Sequence, residues 1–468
     1  MSLADLTATE LLAKYRDGSV SPVEVIADVL DRVAALEPQL CALYALDADG
    51  ARAAAHESEQ RWRNGTAGAL DGVPVTVKEN IATRGTPVPQ GTAATALVPA
   101  TEDAPAAARL RAAGAVIFSK TTMPEYGMLS SGVSTFHRLT RNPWDLSKTA
   151  GGSSAGAAAA AAAGYGPIHV GTDIGGSIRL PAGWCGLVGL KPTHGRIAVG
   201  NPYAGRAIGP LTRTAGDAAL ALTVMQGYDP RDHTSIPPAS DVFDVQVRGL
   251  RVALLLDAGV GLPVDPEVTA AVSSTAARLE QDGAIVEPIG PIITREMLDG
   301  LDRFWRIRSA TDIAALPEER RAKVLPQIRQ WVSTATDLTA SDVFHGYTQM
   351  GAMAAAVTQV FTRYDVILSP VAPITAFPAE LAYPTDDPSR PFEHIAFTVP
   401  YNMSHHPATT VHAGFSTAGL PIGAQLATPH HQDLQALALA AYLATRLDLS
   451  GNNPSPDAEY VPETAEER

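Results

Sequence analysis

The segment GTDIGGSIRLP, residues 171–181, places Asp173, Gly175, Gly176 and Ser177 within five positions and follows them with Arg179. Consecutive glycines let backbone N–H groups turn toward one point, which is what stabilising an oxyanion requires. The candidate donors are the N–H groups of Ile174, Gly175 and Gly176, with that of Ser177, and the Ser177 hydroxyl would face the same point. A glycine-rich turn packed on Leu180 and Trp184 reads equally well from this segment alone. A serine nucleophile also needs a base. No histidine is near in sequence, but GVPVTVKEN (72–80) offers Lys78 at the end of an apolar run. Burial there would lower its pKa and leave it neutral, whereas a solvated strand end is the plainer reading of the same lysine.

A second candidate is TAGGSSAGAAAAAAAG, residues 149–164. Glycines and serines ahead of an alanine run put backbone N–H groups at a helix N-terminus, where they could hold an anion or polarise a hydroxyl. Serine-capped turns have the same composition. The P-loop is excluded, since alanine stands where its lysine would be. Residues 152–156 also spell G-x-S-x-G, a nucleophile elbow with Ser154 at its tip, but an elbow follows a buried strand. The preceding RNPWDLSKTA is polar and interrupted by Pro143, which weighs against it.

These residues need elements to position them. GVPVTVKEN and GAVIFSK (114–120) are β-branched runs with the helical AAARLRAAG between them, predicting strand, helix, strand and hence parallel pairing. Further strands fit Ile168–Gly171, 250–257, 283–290 and 364–373, so the chain reads as α/β. Thr7 to Ala35 gives two helices, the second with Ser21 as N-cap and Pro22 at its first position. Residues 295–360 lack the alternation and read as charged helices covering one end of the sheet. Residues 450–468 are polar and proline-punctuated, predicting a loose tail.

The chain has 468 residues, 46% of them hydrophobic and 18% charged, the composition of an ordinary folded enzyme. A formal charge of −14 would repel nucleic acid and anionic membrane, which leaves a small molecule as the expected partner. Cys41 and Cys185 are too few for a disulfide framework, and there is neither an HExxH motif nor a Cys/His cluster, so no metal and no cofactor are expected. The opening MSLADLTATELLAKYRDG reads as an amphipathic helix instead of a leader, and the longest apolar run is an alanine stretch too short to span a bilayer. A cytoplasmic monomer or homodimer is expected.

Taken in order, Lys78, GGSSAG and GTDIGGSIRLP resemble the amidase signature family, whose catalysts are a lysine, a serine preceded by a cis peptide, and a nucleophilic serine. In that family the nucleophile follows the cis serine by twenty-four positions, the separation of Ser153 and Ser177. KTTMPEYG (120–127), NPWD (142–145), CGLVGLKPTHGRI (185–197), GPLTRTAGDAA (209–219), YDVILSPVAP (364–373) and GLPIGAQL (419–426) are similar to its other blocks, leaving only about 295–345 and the tail uncovered. Ala155 departs from the family's usual glycine or serine. NMSHHPA (402–408) departs from its Asn-x-Thr-Gly-x-Pro-Ala, so His405 or His406 either faces the pocket or is a solvated pair.

The resemblance implies a mixed, largely parallel central sheet surrounded by helices, forming one amidase domain over residues 1–449 with a variable helical cover at 295–360. It also implies roles. Ser177 attacks the carbonyl, Ser153 relays its proton to Lys78, and Ile174, Gly175 and Gly176 hold the oxyanion. Ser154, Asp173 and Arg179 fix the loops, the Gly152–Ser153 peptide is cis, and Tyr126, Met128 and Gly152 contact substrate, with Phe304, Trp305 and Ile307 in the cover. The expected activity is hydrolysis of amide, aryl ester or carbamate bonds in small neutral, apolar or aryl substrates. A glutamine-hydrolysing subunit of a tRNA-dependent amidotransferase and a non-catalytic anion-binding protein are the alternatives.

Overall fold

The computed structural model describes residues 2–385 and 387–447; the tail expected at 450–468 lies outside them. Thirteen strands occur among the described residues: β1 (Leu43–Tyr44), β2 (Pro74–Lys78), β3 (Val116–Thr121), β4 (Arg141–Asn142), β5 (Asp145–Thr149), β6 (Ile168–Asp173) and β7 (Val188–Lys191), then β8 (Ala207–Thr212), β9 (Arg251–Leu254), β10 (Ile285–Pro288), β11 (Val366–Pro370), β12 (Ala408–Phe415) and β13 (Pro421–Ala427). Eleven form one sheet in the order β1-β3-β2-β6-β8-β7-β12-β13-β11-β9-β10, and β4 pairs with β5 in a separate hairpin.

The sheet is mixed and wrapped by helices, as expected. Parallel pairing occupies its two flanks, β3-β2-β6 on one side and β11-β9-β10 on the other. The middle, from β6 through β8, β7, β12 and β13 to β11, is antiparallel throughout. The parallel character read from the sequence therefore describes the flanks and not the centre. The flanks carry the crossover helices, Pro105–Ala112 between β2 and β3 and Pro266–Gln281 between β9 and β10, and parallel neighbours need such crossovers.

The helix Ala155–Ala162 explains the alanine run. Ala157 to Ala161 are wholly buried, and the helix packs against β6, β2 and β3. A helix apolar on every face belongs in a core, and at Gly156 not even a methyl group fits: a Cβ there would lie 2.1 Å from the Ala42 carbonyl oxygen. Two capping boxes, at Thr7/Glu10 and Ser21/Glu24, fix the starts of the first two helices, with Pro22 leading the second.

Residues 295–360 hold the helices Arg295–Ala314, Glu318–Arg321, Pro326–Ser333 and Ala340–Val360. Trp305 and Trp331 from this segment join an apolar cluster with Trp184, Phe377 and Phe392. Among the described residues no helix is long and apolar enough to cross a membrane.

Candidate active site

Strands β2 and β6 are parallel neighbours with Val77 opposite Val170, so their C-terminal ends bring Lys78 beside Thr172. Carboxyl ends of strands are where open α/β sheets build sites. Lys78 is fully buried, and its Nζ lies 2.8 Å from Ser153 Oγ, 3.1 Å from Ser154 Oγ and 3.0 Å from Thr172 Oγ1. Burial pushes its pKa down to about 7 despite the opposing pull of Asp173 and Glu79, because an ammonium without water is penalised more than an amine. Near neutral pH the neutral amine is therefore a major species.

The three hydroxyls differ in where their protons go. Ser154 donates to the Thr172 carbonyl at 3.2 Å, and Thr172 Oγ1 has Asn80 Oδ1 at 3.5 Å and accepts from Asn80 Nδ2 at 3.1 Å. Among the described residues Ser153 has no acceptor other than the lysine. A neutral amine has one lone pair, so Ser153 is the hydroxyl free to donate into it. Ser153 also borders the cavity: a Cβ on Gly127, a wall residue, would sit 3.3 Å from its Oγ. The Gly152–Ser153 peptide is cis.

Ser177 opens onto a cavity with about 620 Å³ of empty space, its mouth included. Ile174, Gly175 and Leu180 share its wall with Tyr126, Met128, Trp305, Trp331, Phe392, Arg206 and Arg308. Phe392 makes edge-to-face contacts with both Trp305 and Trp331, at 5.1 and 5.5 Å between ring centres. The Ser177 carbonyl accepts from the Ser154 N–H at 3.1 Å, which ties the nucleophile turn to the Lys78 cluster.

Beneath the turn, Asp173 and Arg179 are both completely buried. Arg179 reaches Asp173 through Nε and Nη2, each at 3.0 Å, and spends its remaining donors on the Thr398 carbonyl, Gln425 Oε1 and Asn402 Oδ1. Burial alone would raise the Asp173 pKa, but Arg179, Asn402 and backbone N–H groups hold it well below the usual carboxylate range. Replacing one member of such a pair leaves a buried charge uncompensated. Arg179→Met is expected to cost about 3–5 kcal/mol of stability in urea denaturation; a loss under about 1 kcal/mol, the scale of an exposed pair, would contradict this description.

The family model for amidases matches residues 24–437. The chain belongs to the amidase signature family. It is 36% identical over 450 residues to an acylamidase of Rhodococcus erythropolis, covering 93% of this chain and 94% of that protein. It is 33% identical over 455 residues to a glutamyl-tRNA(Gln) amidotransferase subunit from Roseiflexus sp. strain RS-1, covering 91% and 93%. A bacterial aryl acylamidase of known structure superposes with a TM-score of 0.87 at 28% identity over 94% of this chain and 96% of that one. The protein is thus an amidohydrolase, a serine hydrolase of C–N bonds, and acylamidases and amidotransferase subunits resemble it to a similar degree.

Within this amidase most residues singled out from sequence converge. Tyr126 and Met128 line the cavity, as does Trp305. Tyr126 holds φ +51, an uncommon backbone region for a bulky residue, with its N–H on the Gln90 carbonyl. Ser154 is wholly buried and engaged on all sides, so the elbow reading fails: no carbonyl can reach it. Four positions differ from expectation. Gly152 is buried behind the wall, where a Cβ would come within 2.7 Å of the Leu129 and Ser131 carbonyls. Gly176 gives its N–H to Asp173 Oδ1 at 2.8 Å, whereas the N–H groups of Gly175 and Ser177 have no acceptor among the described residues. Gly176 still must be glycine, since φ is +123 and a Cβ would lie 2.5 Å from Thr398 Oγ1. Phe304 turns away to Tyr347, and Ile307 is absent from the described cavity wall.

The histidines do not enter this cavity. His405 stacks on His194 at 4.3 Å, and the buried His406 stacks on His430 at 3.7 Å and bonds Ser404. Sequence reasoning missed Thr172, Asn402 and Gln425, although each stands inside a segment that had drawn notice for another residue. It also missed Arg206 and Arg308, which no motif contains.

Proposed function

We propose that this protein acts without a partner subunit, hydrolysing amide bonds of small aryl or apolar substrates, and the aryl ester and carbamate bonds that present the same carbonyl. Ser177 is the nucleophile, Ser153 passes its proton to neutral Lys78, and the acyl-enzyme is resolved by water using the same proton path. The backbone N–H groups of Gly175 and Ser177, joined by Ile174, hold the oxyanion, while the Gly176 N–H stays on Asp173. Ser154, Asp173 and Arg179 hold the two loops in register.

The observation that carries this reading is an aromatic-lined cavity opening on Ser177 beside a buried lysine whose only uncommitted hydroxyl partner is Ser153. Aromatic walls suit an aryl or apolar body better than the polar side chain of glutamine. The charge of −14 offers a tRNA-bound partner no electrostatic help. The same charge supports a small-molecule substrate with no nucleic acid or membrane surface as partner; a cytoplasmic setting is proposed on the ground of two cysteines alone.

The test is the purified chain alone against p-nitroanilides, p-nitrophenyl esters, aryl carbamates and L-glutamine. Turnover of the aryl substrates with little or no ammonia from glutamine is expected. Glutamine hydrolysis that outpaces every aryl substrate, or activity that appears only with added subunits, would assign the protein to the amidotransferases instead.

A further inference from the structure

Two guanidinium groups stand in the wall of the Ser177 cavity, on parts of the chain that no catalytic segment contains. Arg206 precedes β8, and Arg308 lies on the helix Arg295–Ala314 three residues after Trp305. Both lie over one ring: the guanidinium carbons are 5.7 Å and 4.8 Å from the centre of Tyr203.

Neither cation is properly neutralised. Arg206 is half-buried and gives one N–H to the Asn201 carbonyl at 3.2 Å, and it forms no ion pair among the described residues. Arg308 has Asp312 one turn along its own helix at 4.0 Å, but that carboxylate is 64% exposed, a geometry worth little. The Arg308 Nε is buried without a hydrogen-bond acceptor. Burial, with the charge of Arg308 added to it, lowers the Arg206 pKa. Arg206 shares the cavity wall with Ser177 itself. A fold does not ordinarily leave two cations in an aromatic pocket without an anion to meet them.

We propose that Arg206 and Arg308 form a carboxylate-binding subsite, and that the preferred substrates carry a carboxylate at the end remote from the scissile bond. This deepens the reading of the site as an aryl or apolar amidase and rests on it. It also revises the expectation of a neutral substrate: the aromatic walls take the body of the molecule and the arginines its anionic end. Planar guanidinium groups match a carboxylate by paired N–H donors, and the Tyr203 face holds both forks in place. Asp312 is the other charged group beside Arg308, exposed and easily turned to water.

The experiment compares matched pairs. On the acyl side these are succinyl-, glutaryl- and adipyl-p-nitroanilide against alkanoyl anilides of equal chain length. On the amine side they are N-acyl-4-aminobenzoates against N-acyl-4-toluidines. The carboxylate member of at least one series is expected to lead in kcat/KM by about ten-fold or more, chiefly through KM. That ratio should fall about ten-fold in Arg206→Gln and in Arg308→Gln and be better kept in Arg206→Lys, since a hydrogen-bonded charge pair is worth about that much. Ratios near one in both series, or ratios that the two Gln variants leave unchanged, would overturn the subsite. Calorimetry with glutarate and benzoate separates this from failure of the amidase reading. Binding that is lost in both Gln variants upholds the subsite even if no anilide turns over, and absence of binding together with flat ratios removes it while the aryl activity stands.

Discussion

Lys78→Ala is expected to slow an anilide far more than the matching p-nitrophenyl ester. An amide nitrogen leaves only when protonated as the C–N bond breaks, whereas p-nitrophenolate leaves unaided. If Lys78 takes the Ser177 proton through Ser153 and returns it to the departing nitrogen, the variant loses both steps on the anilide and only the first on the ester. General acid–base assistance is worth about 10²- to 10⁴-fold, so the two losses should differ by at least about ten-fold. Lys78→Met, closer in volume, should give the same contrast and so excludes a simple packing defect. The sign of the pH dependence follows from the buried amine. With a pKa near 7, the lysine becomes charged as pH falls, loses its lone pair and ceases to be a base. The wild-type kcat/KM on the anilide should therefore fall on the acid side of about pH 7, and that limb should vanish in Lys78→Met. Equal losses on ester and anilide would leave the lysine as a structural cation.

Ser177→Ala is expected to abolish turnover, by about 10⁴-fold or more, because it removes the hydroxyl that forms the acyl-enzyme. Ser154→Ala should keep a measurable rate. Ser154 supports the site by linking Lys78 to the Thr172 carbonyl and, through its backbone N–H, to the Ser177 carbonyl; the last of these bonds survives the substitution. A Ser154 variant as inactive as the Ser177 variant, with an unchanged melting temperature, would mean that the hydroxyl has a direct part in proton transfer.

The catalytic segments were legible because their chemistry is local. A lysine closing a β-branched run and a serine on a glycine turn each announce themselves within ten residues, and the flanking strands β2, β3, β6, β9, β10 and β11 alternate with helices as parallel strands must. The antiparallel centre was not legible, because glycines and prolines interrupt its β-branched runs. In β8, Gly209 is there because a Cβ would lie 2.0 Å from the Leu190 carbonyl. In β13, Gly423 lets the strand approach Gly183, with a Cβ only 2.6 Å from its Cα. Such glycines mark close approach and not chain reversal. The hairpin of β4 and β5 was hidden in the same way by Pro143 between its strands. The cavity was the least legible part. Tyr126, Arg206, Trp305, Trp331 and Phe392 come from five separate stretches, and only the fold brings them to one wall. No spacing in the chain could have shown that Arg206 and Arg308 share the ring of Tyr203, or that His405 and His406 pair with other histidines.

The central claim is that the acyl group passes through Ser177 with Ser153 and Lys78 behind it. Its most direct test is covalent trapping: the wild-type protein, Ser153→Ala and Ser154→Ala are treated with a fluorophosphonate, digested and mapped by mass spectrometry. The account predicts modification of Ser177 alone, fast in the wild type, still observable in Ser154→Ala and strongly slowed in Ser153→Ala, where the proton path is cut. A label on Ser154 or Ser153, or labelling of Ser177 at the wild-type rate in Ser153→Ala, would contradict it.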